Sequence, residues 1–286
     1  MTARHISLDG MELRVRQHLG KEHKSRGGGP GGTIWPCGEA TARWLSEQRS
    51  GTSAELEAEV SAPARLPTVL ELGCGTGIVG IALAKLGAVR VVATDGDPPS
   101  CKLCAVNAGL NDTSNVRTCE LLWGESGHGE QLASVIAQVG NAGRCADWVV
   151  GADVIYNAQS MQELEVTLRE LLSLGGCSLV VIGWCERGLH SEAFLQRLRD
   201  LGSVRTVVRQ SDLQFNYLGR SATSGKMIAS EVEFGVTLLS VDPDVTAGWP
   251  RCGLRCWAGQ MLRLGVARAA ASCWSLCSVC SAAAPG

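Results

Sequence analysis

Val69-Leu70-Glu71-Leu72-Gly73-Cys74-Gly75-Thr76-Gly77-Ile78-Val79-Gly80 runs from an apolar, β-rich segment through alternate glycines straight into a helical pattern. Glycines are needed where a Cβ would hold the backbone away from a ligand lying across the end of a strand. The next β-rich segment, Val91-Val92-Ala93-Thr94, ends in Asp95, eighteen residues after Gly77. A carboxylate at that point can accept hydrogen bonds from both hydroxyls of a ribose.

Two ligands fit this arrangement. Gly75-x-Gly77-x-x-Gly80 matches the dinucleotide fingerprint, which makes NAD one candidate. The longer run Glu71-x-Gly73-x-Gly75-x-Gly77 fits a loop for S-adenosylmethionine better, where the glycines make room for an adenosyl group that has no pyrophosphate. A helix–strand turn that needs glycines only for packing is the third reading.

Outward from the loop the chain alternates between two periods. Short β-rich runs fall at 68–72, 89–94, 116–120, 148–151 and 178–182, with helical patterns at 77–86, 98–108, 131–139 and 160–172 between them. Strand and helix in alternation predict an α/β fold with a parallel sheet covered on both faces. A helix at 191–201 and strands at 204–208 and 233–240 follow. The connection between those strands holds no helix long enough for a parallel crossover, so they are expected to pair antiparallel. Upstream, Asp9-Gly10 is a type I′ turn signal, and Leu13 and Val15 alternate with Glu12, Arg14 and Arg16, which predicts a β-hairpin. A short helix is expected at 39–47 after a glycine-rich joint at 27–32. The polar, alanine-rich stretch 46–67 reads as a linker or insertion.

The 286 residues are 45% apolar, enough for one α/β domain with appendages. A formal net charge of -2 argues against a strongly basic nucleic-acid footprint. The first ten residues lack a secretory pattern, and no apolar run reaches the roughly 18 residues of a membrane span. These features place the protein in the cytosol or nucleus, without nucleic-acid or membrane partners. Eight of the thirteen cysteines are scattered singly from Cys37 to Cys185 and read as buried thiols of a reducing compartment. Cys101-x-x-Cys104, on a helical pattern with no partner pair nearby, reads the same way, and no metal site is expected. The other five cysteines lie in the alanine- and cysteine-rich tail 242–286, which is expected to be disordered. His128 and the single Arg26-Gly27-Gly28 element suggest no chemistry.

Five stretches, in order, resemble the seven-strand protein-lysine methyltransferases of the methyltransferase-like group, whose members modify chaperones, translation elongation factors and the valosin-containing ATPase. Gly32-Thr33-Ile34-Trp35-Pro36 is similar to that family's tryptophan motif, and residues 71–80 to its cofactor loop. Thr94-Asp95 resembles its ribose carboxylate, and Leu122-Trp123-Gly124 the motif after its third strand. Gly151-Ala152-Asp153-Val154-Ile155-Tyr156 resembles its Asp-x-x-Tyr signature, the most specific of the five; Trp184-Cys185-Glu186-Arg187 is a looser match. The likeness spans roughly residues 6 to 241.

The resemblance implies a seven-strand Rossmann-like, S-adenosylmethionine-dependent methyltransferase fold with an N-terminal β-hairpin and an antiparallel last strand. It makes residues 1–45 part of the catalytic unit and 68–241 the core. It implies that Trp35, Gly73, Cys74, Gly75, Gly77, Asp95, Trp123 and Ala152 bind the cofactor, and that Asp153 and Tyr156 serve the reaction. Trp123 would cover the adenine and Trp35 the methionine end, while Trp44, Trp148 and Trp184 read as packing residues. The acceptor would be a lysine on a protein such as a chaperone, ATPase or translation factor. A protein histidine, a small molecule and a non-catalytic binding role are the alternatives. A carboxylate beside an amine favours its charged form, so Asp153 is expected to position the amine or the cofactor's amino group rather than act as a strong base. Capping of the following helix is the other use open to Asp153. Specificity is expected in the hairpin, in 125–146 and in 210–230.

Overall fold

The chain opens with an antiparallel hairpin, β1 (Thr2–Leu8) and β2 (Met11–Gln17), turning through Asp9 and Gly10 at positive φ (45° and 82°), as a type I′ turn requires. The computed structural model describes residues 2–18, 30–52, 57–61, 67–124, 128–186, 191–210, 214–215, 230–231 and 233–241. All belong to one compact unit, Met1–Trp249; the second unit, Pro250–Gly286, lies outside them, as do the whole of the tail 242–286, the Arg26 element and most of 210–230.

Helix α1 (Pro36–Ser50) is longer than the predicted 39–47. Proline is tolerated at a first helical position, and nothing breaks the helix until Gly51 takes a left-handed φ of 77°. Ser46 and Gln48, inside the stretch expected to be linker, are therefore buried helix residues. A four-residue helix, α2 (Ala58–Ser61), follows, and Gln48 accepts the N–H of Glu57 at 2.6 Å.

The alternation then runs β3 (Thr68–Leu72), α3 (Ile78–Lys85), β4 (Arg90–Asp95), α4 (Pro98–Leu110), β5 (Val116–Glu120), α5 (His128–Val139), β6 (Trp148–Ala152), α6 (Ala158–Ser173) and β7 (Leu179–Cys185). A short helix α7 (Ser191–Gln196) with a 3-10 turn (Arg197–Leu201) leads to β8 (Gly202–Gln210). After β9 (Gln214–Phe215) and β10 (Ser230–Glu231), which pair with each other, comes β11 (Phe234–Val241). The seven-stranded sheet has the order β5-β4-β3-β6-β7-β11-β8, with β5 to β7 parallel and β11 antiparallel to both neighbours.

The antiparallel pairing of the last two strands is as expected, but β11 lies inside the sheet, with β8 at the edge. Their side chains account for this. The first six residues of β11 are all buried, whereas β8 exposes Ser203 and Arg205. All seven residues of β7 are buried, as befits a strand covered on both faces. Trp184 on β7 lies over its cross-strand partner Gly235, where a Cβ would collide with the indole, and its Nε1 donates to Thr237 Oγ1 at 3.0 Å. Trp44, Trp148 and Trp184 are all buried, in keeping with packing roles.

Two asparagines fasten the hairpin to the core. Asn107 on α4 and Asn111, the residue that caps its C-terminus, stand one helical turn apart. Each accepts a backbone N–H of β2 (from Arg16 at 2.8 Å and Arg14 at 2.9 Å) and returns its amide N–H to the same residue's carbonyl. The two side chains thus complete the outer edge of β2 as a neighbouring strand would. Asn107 also donates to Thr76 O at 2.8 Å, which links the hairpin to the glycine loop.

Gly235→Ala is expected to destabilise the protein by about 1–3 kcal/mol, the usual cost of overpacking, seen as a lower urea midpoint at unchanged slope. Gly109→Ala, on α4 with open space around the added methyl, should leave stability unchanged or slightly raised. Equal loss in both variants would contradict the packing of Trp184 on Gly235.

Candidate functional site

A cavity of about 500 Å³ opens at the carboxyl ends of β3, β4 and β6, the end of an open parallel sheet where ligands bind. Its floor is the glycine loop. Gly73 and Gly75 have φ of 66° and 50°, a region costly for any residue with a Cβ. Neither has room for one: a Cβ at Gly73 would stand 2.9 Å from Val154 Cγ1 and 3.3 Å from the Trp123 indole, and at Gly75 2.9 Å from Gly31 O. The backbone of the upstream joint, at Gly31, therefore lies directly on the loop.

Asp95, the last residue of β4, fixes the loop's path. Its Oδ2 accepts the N–H of Gly75 at 2.8 Å and its Oδ1 that of Asp97 at 2.9 Å. Burial pushes its pKa up, and those two N–H groups hold the rise back. A carboxylate offers about four lone-pair positions, so room remains for a ligand's hydroxyls. Two further bonds tie the loop to β4: Cys74 N–H to Thr94 O at 2.8 Å and Thr94 Oγ1 to Glu71 O at 2.7 Å.

Trp35, Gly73, Cys74, Gly75, Asp95, Trp123, Ala152, Asp153 and Tyr156 all line the cavity. Gly77 does not. Its φ of 82° turns the chain into α3, and a Cβ there would collide with Cys104 Sγ, so it is needed for packing. The Cys74 thiol packs against Ala93 and Cys104. Cys101 and Cys104 are buried, and no group of three His, Cys, Asp or Glu residues suited to a metal occurs among the described residues.

Two tryptophans, Trp35 and Trp123, line the cavity. Trp35 is the N-cap residue of α1 and donates from Nε1 to Pro30 O at 3.0 Å. Trp123 follows β5 with its Nε1 buried and without a partner among the described residues. Gly124, at φ 63°, lets the chain pass within 2.8 Å of the α6 backbone at Glu163, measured from where a Cβ would stand.

At the end of β6, Asp153 has a left-handed φ of 61°, and its N–H donates to Gly183 O at 3.0 Å. Such strain in a non-glycine residue points to a functional constraint. Asp153 does not cap α6; Asn157 does, accepting the Ser160 N–H at 2.8 Å. Val154 and Ile155 are buried, and Tyr156, 48% exposed, stands at the mouth.

Several lining residues escaped sequence reasoning. Asp97 and Glu163 line the cavity with no motif to mark them, and Pro30, Gly31, Thr33 and Leu122 line it from stretches whose individual residues were given no role. Glu71 was visible within the loop motif but carried no assigned role. It is buried, with Oε2 unpartnered among the described residues, and burial raises its pKa to about 8, against the restraint of the Gly80 N–H and with a further push from Asp95.

A raised acid pKa means the folded state holds a proton that the unfolded chain has already lost. Stability therefore falls as pH rises from the ordinary value of 4.5 to about 8. Urea unfolding at about pH 6 and about pH 8.5 should show this loss in the wild type and a smaller one in Glu71→Gln. Equal losses would contradict a neutral, buried Glu71.

A family model described as lysine methyltransferase matches residues 15–201. Protein-lysine N-methyltransferase EFM3 of Chaetomium thermophilum is 36% identical over 132 residues, 44% of this chain and 38% of that one. Protein N-lysine methyltransferase METTL21A of Danio rerio is 35% identical over 142 residues, 49% and 59% of the two chains. Protein-lysine N-methyltransferase EFM6 of Saccharomyces cerevisiae is 26% identical over 208 residues, 65% and 82%. The matches thus span less than two thirds of the length of the first two relatives. With a family model covering well over half of the sequence and a seven-strand sheet carrying the cavity at its carboxyl end, the chain belongs to the lysine methyltransferase family.

Proposed function

We propose that the protein is an S-adenosylmethionine-dependent methyltransferase that N-methylates a lysine side chain of a protein. The charge of the cavity carries this reading beyond family membership. Among the described residues, five acids line it, Glu71, Asp95, Asp97, Asp153 and Glu163, and no lysine, arginine or histidine does. A sulfonium and an amine are cations and suit such walls; the pyrophosphate of NAD would bring negative charge among five acids and suits them poorly.

The chain's own residues supply alignment. Bound S-adenosylmethionine offers an electrophilic methyl group on a sulfonium. Asp95 and the glycine loop would hold the adenosyl end, with Trp123 beside it, and Asp153 and Tyr156, which line the same cavity, would receive and orient the incoming amine. In-line displacement draws most of its acceleration from such positioning. A lysine must also be neutral to attack, which costs about 4–5 kcal/mol at pH 7 from its reference pKa. Asp153 favours the ammonium, so its part is to draw the side chain in and orient it; the proton leaves toward solvent at the Tyr156 mouth. The substrate classes implied by the family likeness, a chaperone, an ATPase or a translation factor, and a cytosolic or nuclear location complete the reading. The eight free cysteines among the described residues suit a reducing compartment.

Labelled S-adenosylmethionine offered with a methylation-poor lysate tests this, with Asp153→Asn beside the wild type. Asparagine tolerates a left-handed φ and removes only the charge. Transfer is expected to fall by about a hundredfold with cofactor affinity unchanged, and hydrolysis of the labelled bands to yield methyllysine. Methylhistidine would replace the acceptor, and absence of protein label despite cofactor binding would overturn the protein substrate.

A further inference from the structure

Glu71 is the penultimate residue of β3, 3% exposed, and part of the cavity wall. A carboxyl group at that depth with an unpartnered oxygen calls for an explanation. Its sheet neighbours, Ala93 on β4 and Val150 on β6, are apolar. From α3 it meets the backbone of Gly80, where a Cβ would collide with Oε2. Among the described residues, the titratable groups facing it are Asp95 and the Cys74 thiol, and neither supplies positive charge. Burial accordingly holds it neutral near pH 7, with a pKa of about 8.

A buried neutral acid and an incoming cation form a linked pair. Alone, each ion is costly out of water; together they offset one another. We propose that Glu71 gives up its proton to solvent when the cationic cofactor enters, so that cofactor binding is a proton-releasing step and Glu71 becomes the counter-ion of the bound ligand. The balance is simple: the carboxyl O–H breaks, buffer takes the proton, and the carboxylate remains beside the cation. This rests on S-adenosylmethionine being the cofactor. One consequence is that affinity rises with pH, by up to about tenfold per unit, until Glu71 is ionised in the free protein.

Titration calorimetry of the full chain with S-adenosylmethionine, in several buffers of different ionisation enthalpy, reads the protons directly. At about pH 6.5 the amino group of the ligand is already protonated and does not confuse the count. The wild type should release close to one proton per cofactor bound. Glu71→Gln should bind with release near zero, and Glu71→Asp should restore it. If neither variant folds, infrared difference spectra of the wild type serve instead: the carbonyl band of a protonated carboxyl should disappear on binding. Binding without proton release, or with that band intact, overturns the inference. Failure of the wild type to bind S-adenosylmethionine at all overturns the cofactor reading on which it rests.

Discussion

Oδ2 of Asp95 accepts the N–H of Gly75 while Oδ1 accepts that of Asp97, and through these two bonds one carboxylate sets the position of everything around the cavity. Hydrogen bonds to a charged acceptor contribute about 1.5–3 kcal/mol each, enough to hold a glycine loop that makes few side-chain contacts of its own. The first bond fixes the loop's middle glycine against Gly31. The second sets the start of α4, where Asp97 in turn accepts from Ser100. Along α4, Asn107 and Asn111 then secure the hairpin, and Asn107 returns to the loop at Thr76. Loop, helix and hairpin thus form one closed circuit of hydrogen bonds.

Around this rigid floor the site holds features that a purely structural fold would shed. Asp153 keeps a left-handed backbone that glycine would adopt at lower cost, while the adjacent helix is capped by a different residue. Glu71 sits neutral in the core with an oxygen that has no partner among the described residues. Both are acids beside a cavity whose other charged walls are acids too. Destabilising elements of one charge, gathered at one place, are what a site for cations would retain.

The fold was legible because a parallel sheet writes itself locally. Runs 68–72 and 116–120 coincide with β3 and β5, and helix boundaries differ by a few residues where a turn of helix extends without a breaker, as at Pro36 and Ser50. The inner place of β11 was not legible, since it depends on which of two late strands buries both faces, and strand order leaves no local mark. The glycines and Asp95 were visible because chemistry demands their pattern, whereas Trp35, Trp123, Ala152, Asp153 and Tyr156 were marked only by resemblance to the family's motifs. Gly77 lies off the cavity lining and packs against Cys104, and a glycine required by a ligand and one required by packing look identical in a sequence. Asn107 and Asn111 carried only a one-turn spacing, and Glu71 only its identity; depth gives each its role. Gly31 and Glu163 reach the cavity by tertiary approach alone.

If the acid-walled cavity takes an adenosyl cofactor as proposed, the ligand sits on Asp95 with its reactive end facing Asp153 and Tyr156. A crystal structure of the protein grown with S-adenosylhomocysteine, the demethylated cofactor, tests it most directly. The account predicts the ribose hydroxyls on the Asp95 carboxylate, the adenine beside Trp123, and the sulfur open toward Asp153 and Tyr156. A ligand bound elsewhere, or seated with its sulfur turned away from Asp153, would contradict it.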